Sequence, residues 1–205
     1  MNRFLLQIRF IALALLLSTA STVVAQIASS PQSLDDVIYN PAIKDGKARH
    51  AIGEYQMKQA KILSEDRNLN VMTLRNTEVI VVTIPADLLF EPNETELSRD
   101  AELVLLKYCP FLRTPGFYHM AIAMYHDNSA SEQYSKELTN LRVQSVYDWF
   151  AENANVKDLY KFSFGNSNAL LPNNSMQNRR LNRRLEIYLV PGQLMIDQAK
   201  KNLLK

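Results

Sequence analysis

The residues best placed to do chemistry are Asp127 and Arg142. Asp127 follows a short apolar run, residues 120–125, and stands among His126, Asn128 and Ser129, all loop formers. The run therefore reads as a buried strand that ends at a carboxylate. From about Glu132 to Phe150 the chain reads as a helix. Leu138, Val146 and Phe150 recur at multiples of four, with Val143 beside them, and make one apolar face. Arg142 falls in the same row. A permanently charged guanidinium there either carries its head past its apolar stem to water or faces a partner. A carboxylate at a strand end and a guanidinium in the next helix, set across a shallow cleft, suit a small zwitterion. Its ammonium pairs with the Asp and its carboxylate with the Arg fork. The plainer reading of the same pair is a surface salt bridge worth about 0–1 kcal/mol.

Counting from Asp127, Ala130 stands at three, Tyr134 at seven, Ser135 at eight, Leu138-Thr139 at eleven and twelve, and Arg142-Val143 at fifteen and sixteen. A second cluster runs Arg179-Arg180-Leu181-Asn182-Arg183-Arg184-Leu185-Glu186. Upstream lie a β-branched run at 79–85, then Leu89-Phe90, then an apolar helical pattern at 97–106. Together these resemble the peptidoglycan-binding C-terminal domain family of OmpA, shared with Pal and MotB, over residues 71–191. The resemblance implies that Asp127 and Arg142 hold the diaminopimelate of a peptidoglycan stem peptide. It also implies that Phe90, His126, Ser135, Leu138 and Arg183 border the same cleft. The family pattern has a Gly-His-Thr-Asp strand end, a second Gly and an Asn. Here Met124, Ala130 and Ser135 stand at those two Gly positions and the Asn. Gly marks backbone that turns tightly or approaches a ligand, so the loop around the cleft is expected to differ.

The elements that must position these residues follow from pattern. Residues 71–74 and 78–84 flank Asn76-Thr77 as a hairpin, and 79–84 is β-branched throughout. Ser98 is placed to cap a helix over 99–109 that Pro110 ends. Tyr160, Phe162 and Phe164 alternate with polar residues, as in a half-buried strand. Residues 176–182 read as a short helix and 183–190 as the last strand, with Leu185, Ile187 and Leu189 on one side. A weaker helix is expected over 47–66. This order argues an α+β sandwich, a small mixed β-sheet with helices packed on one face.

Composition narrows the function. The chain has 205 residues and a formal net charge of +2, so no global field points to nucleic acid. Cys109 is the only cysteine, so no internal disulfide can form. Cys109, His119 and His126 match no common zinc spacing, and no metal or other cofactor is expected. Gly is scarce at five, without a phosphate loop or a nucleophile elbow. His126 and Asp127 are adjacent, so on extended backbone they point to opposite faces rather than forming a base and its orienting acid. An enzyme is not expected.

Residues 1–25 read as a secretory signal: Arg3, an apolar core at 11–17, and Val23-Val24-Ala25 before the cleavage point. The expected place is the periplasm, with association at the outer membrane. Residues 26–70 read as an arm, either a spacer or a docking segment for an envelope protein partner, and 192–205 as a tail with a weak amphipathic helical pattern, expected to be frayed and solvated. The expected function is that of an exported OmpA-like domain that binds the stem peptide and anchors an envelope complex to the wall. The alternative is a structural subunit of an outer-membrane secretion complex, of the type IV Dot/Icm kind by overall layout, with degenerate peptidoglycan binding.

Overall fold

A computed structural model describes residues 31–204. The expected signal segment, 1–25, and the start of the arm lie outside the described residues. The β-branched and aromatic runs become five strands: β1 (Asn70–Leu74), β2 (Val79–Pro85), β3 (Tyr118–Tyr125), β4 (Leu159–Gly165) and β5 (Arg184–Pro191). They form one mixed sheet in the order β1-β2-β5-β3-β4. Only β3 and β4 are parallel; the other neighbours are antiparallel. The last strand thus enters the middle, and β5 is buried along its whole length. Parallel neighbours need a crossover, and α4 (Glu132–Asn153) supplies it.

The other helices are α1 (Leu34–Tyr39), α2 (Gly46–Leu63), α3 (Ala101–Leu105), α5 (Met176–Asn182) and α6 (Gln193–Lys200). On one face of the sheet, Ile52, Leu105, Tyr108, Phe150 and Met195 pack on Ile80, Val82, Met120, Ile122, Ile187 and Leu189. This is the expected α+β class. The structure adds that α1 covers part of the opposite face, burying Leu34, Val37 and Ile38 on Val79, Val81, Ala121, Ala123 and Val190.

Two segments pack more closely than their sequence suggests. Helix α2, within the stretch read as an arm, buries Ala48, Ile52, Ala60 and Leu63 in the main core. Its row is broken by Gln56, which hid the apolar stripe. Gln56 is buried because its amide donates to the carbonyls of Glu78 (2.8 Å) and Leu189 (3.2 Å) and accepts from the Tyr118 hydroxyl (2.8 Å). All its polar capacity but a lone pair is spoken for, so its burial costs little. Helix α6 bears out the amphipathic pattern of the tail but is docked rather than solvated, burying Met195, Ile196 and Ala199. Gly192 makes this possible: a Cβ there would lie 2.2 Å from the Gly116 carbonyl oxygen. Without one, Gly192 N–H donates to Phe117 O and Leu194 N–H to Gly116 O, both at 2.9 Å.

Ser98 Oγ accepts from Ala101 N–H (3.2 Å), as expected of a cap. The helix is shorter than expected: it passes at Leu106 into a 3₁₀ segment, Leu106–Leu112, that holds Pro110. Among the described residues no helix is long and apolar enough to cross a membrane.

Candidate functional site

The pocket of interest lies where β3 ends. Past a register shift between Met124 and Tyr125, His126 N–H donates to Gly165 O at 2.6 Å and extends the β3–β4 pairing by one residue. Gly165 has φ +55°, and a Cβ on it would sit 3.2 Å from Lys136 N. Its own N–H donates to Thr139 Oγ1 at 3.1 Å. Strand end and helix α4 therefore meet through a residue without a side chain. Gly165→Ala should cost about 1–3 kcal/mol, from the left-handed backbone and the crowding against α4. Thermal unfolding checks this; an unchanged midpoint would mean that α4 shifts freely.

Helix α4 starts at Ser131, whose Oγ accepts from Tyr134 N–H at 3.2 Å. Further along, the apolar row holds as expected: Leu138, Val143, Val146 and Phe150 are buried, and so is Arg142. Arg142 Nε donates to Glu94 O (2.8 Å) and Nη2 to Glu91 O (3.1 Å). Its guanidinium carbon lies 4.8 Å from the Phe90 ring centroid. Ser145 Oγ donates to Thr95 O at 2.7 Å. Together these contacts pin the 90–95 loop to α4. Two of the five guanidinium N–H groups are spent on carbonyls, leaving three. Burial pulls the Arg142 pKa down, against an upward push from Tyr134; a guanidinium stays charged regardless.

A pocket of about 360 Å³ opens beside it. Phe90, His126, Leu138, Arg142 and Arg183 line it, all of them expected site residues. Tyr134, Ser129 and the 86–93 loop line it as well. Tyr134, 41% exposed, stands in the wall, and Met124 is buried in the core, away from the pocket.

Asp127 and Ser135 are placed differently from the expectation. Asp127 is fully buried and does not line the pocket. Its Oδ1 accepts from Ser129 N–H (2.8 Å) and Ser129 Oγ (2.5 Å), and its Oδ2 from Arg183 Nη1. The carboxylate does not open on the pocket that Arg142 lines, and Arg183 occupies its Oδ2. The spacing of two residues cannot reveal a third that arrives from the start of β5. Burial pushes the Asp127 carboxyl up, but Ser129 and Arg183 outweigh it and hold it below the usual carboxylate range. Ser135 is buried behind His126, with Oγ 3.3 Å from Nδ1.

His126 Nδ1 lies 3.0 Å from the Asp127 carbonyl oxygen, which can only accept. Nδ1 therefore carries the hydrogen, and Nε2 is left as an acceptor. Burial lowers the His126 pKa against the pull of Asp127, and Arg142 and Arg183 lower it further. The ring is thus neutral at pH 7. The pocket offers a guanidinium with free donors, a second guanidinium on a covered carboxylate, a neutral acceptor and apolar walls. That set fits a small charged group bearing a carboxylate.

The 86–93 segment that forms this wall carries a sign of its turn but none of its role. Its Pro92-Asn93 pair is a turn signal, and Asn93 adopts φ +62°. Ser129 carried a weaker sign, since a Ser two residues after an Asp is placed to close an Asx turn.

No protein-family model and no curated protein matches the chain. Solved structures do. A MotB-like protein of Desulfovibrio vulgaris superposes with a TM-score of 0.61 at 23% identity, over 70% of this chain and 95% of that one. The cell wall anchor of the type VI secretion system of Pseudomonas aeruginosa gives 0.54 at 21%, over 68% and 96%. The periplasmic domain of Helicobacter pylori MotB gives 0.53 at 21%, over 66% and 89%. The chain has the OmpA-like fold of these domains.

Proposed function

We propose that this chain is an exported, non-enzymatic module that grips the diaminopimelate end of a peptidoglycan stem peptide and anchors an envelope complex in the periplasm. The observation that carries the reading is Arg142, buried in the pocket wall with donors to spare, on a fold seen in a secretion-system wall anchor and in MotB. The ligand carboxylate takes the free N–H groups of Arg142. The ligand ammonium takes the place of Arg183 on Asp127 Oδ2, with His126 Nε2 as a second acceptor. Arg183 can leave: its side chain is 36% exposed, and among the described residues that side chain hydrogen-bonds only to Asp127. One cation replaces another, so Asp127 is never left unpaired, which would be the costly state. Phe90, Leu138 and Tyr134 flank the methylenes, and Ser135 supports His126.

The covered state of Asp127 favours one alternative: a structural subunit of an outer-membrane secretion complex, Dot/Icm-like, whose wall binding has decayed. Sedimentation with purified sacculi separates the two. The wall-binding reading expects the protein to sediment with sacculi and free diaminopimelate to release it. Asp127→Ala should lose binding, while Arg183→Ala keeps or strengthens it. A parent protein that stays in the supernatant would leave the subunit reading.

A further inference from the structure

We infer that the outer edge of β1, with the flank of α2 beside it, receives an extended segment of a partner protein in which apolar residues alternate with carboxylates. The segment adds to the sheet as a further strand. The inference does not rest on wall binding, and the surface shares no residue with the pocket. It specifies the expectation that the 26–70 stretch, which contains α2, meets a partner.

Among the described residues strand β1 pairs only with β2, in an unbroken register. Its residues, Asn70 to Leu74, include no charge, no proline and no bulge, the devices that keep natural edges from pairing. The other edge strand, β4, carries an exposed Lys161 in its middle. Beside β1 runs a groove of about 550 Å³ lined by Met57, Lys58, Lys61, Val71 and Met72 among others. Met57 and Met72 are 49% and 48% exposed. Met72 pairs with Val81 and so stands on the face away from α2, where its unbranched thioether adapts to the apolar side chains of the added strand, while the alternate positions face α2.

Charge selects the occupant. Lys58 and Lys61 are exposed on α2, one turn apart, and Arg67 is exposed just before β1. None of the three has a carboxylate partner among the described residues. A second copy pairing β1 with β1 about a two-fold axis would bring the same lysines together without compensation. Carboxylates at alternate positions of an extended chain recur about every 7 Å on one side, within reach of both lysines.

The test uses the full chain and two fluorescent synthetic peptides of roughly ten residues, one alternating Val with Glu and the other Val with Lys. By fluorescence anisotropy, the Val/Glu peptide should bind about tenfold or more tighter than the Val/Lys peptide. It should also slow amide hydrogen exchange at 70–74. Lys58→Glu combined with Lys61→Glu, both at exposed positions, should invert the preference and leave sacculus sedimentation as in the parent. The inference is overturned if neither peptide binds, if both bind alike, if the reversed variant keeps the original preference, or if protection falls outside β1. A parent protein that dimerises with protection at 70–74 would overturn it too, in favour of a second copy.

Discussion

Arg142→Lys is expected to abolish sacculus binding almost as fully as Arg142→Ala. Lysine keeps the charge but not the planar fork. Arg142 reaches two carbonyls, Glu94 O and Glu91 O, while lying over the Phe90 ring and turning its remaining donors to the pocket. A single ammonium cannot hold both carbonyls and a ligand carboxylate in that plane. Truncating one partner of a buried charged contact costs about 2–5 kcal/mol, or roughly thirtyfold to several thousandfold in affinity. The 90–95 loop, which forms the facing wall, should loosen as well, so amide exchange there should quicken in both variants. Co-sedimentation with sacculi reads the first effect, and circular dichroism verifies that the variants fold. A lysine variant that sediments like the parent would sink the assignment of Arg142 as the carboxylate fork.

Glu186→Ala should be the most damaging substitution for stability outside the apolar core, at about 3–5 kcal/mol. On the face of the sheet opposite α4, Arg184 Nε donates to Glu186 Oε1 (2.7 Å) and the Tyr188 hydroxyl to Oε2 (2.5 Å). All three side chains are buried, and Arg184 lies 3.8 Å from the Tyr125 ring centroid. Burial pushes the Tyr188 hydroxyl pKa far up, with Glu186 adding to it, so the phenol keeps its proton and stays a donor. Alanine at 186 strands a buried guanidinium without its carboxylate, left among the described residues with the carbonyls of Asn182 and Asn168 (3.1 Å each) and the Tyr125 ring. For a domain of this size the loss is a fall of about 6–20 °C in melting temperature. Arg184→Met combined with Glu186→Leu should recover most of it, because removing both charges removes the desolvation cost with the attraction. Equal losses in the single and double variants would mean that the pair contributes through packing alone.

The strands and the long helix were legible because their signals are redundant. The β-branched run of β2 and the four-spaced row of α4 each repeat their message several times over. The pocket was half legible. Arg142 betrayed itself as a charge in an apolar row, and Arg183 stood in a distinctive run. What spacing could not convey was covering: whether Asp127 stays open depends on Ser129 folding back and on Arg183 arriving from far along the chain. Helix α2 was underread for a related reason. Gln56 belongs to its buried row only because Glu78, just ahead of β2, and strands β3 and β5 each supply a partner. Polar residues that are solvated in sequence logic become core residues once distant elements satisfy them. The two glycines of the family pattern are gone, yet close backbone approach at the strand end persists at Gly165, on the neighbouring strand.

Strand β3 is bonded along both flanks, to β5 on one side and β4 on the other, and the pocket stands at its end. Helix α4, which delivers Arg142, returns directly into the sheet as β4. Tension drawn along β3 by a guest held there loads both ladders in shear, many bonds at once, instead of peeling them singly. If the pocket holds the wall as proposed, both of its sides hang from the same sheet, so a tug does not pull them apart.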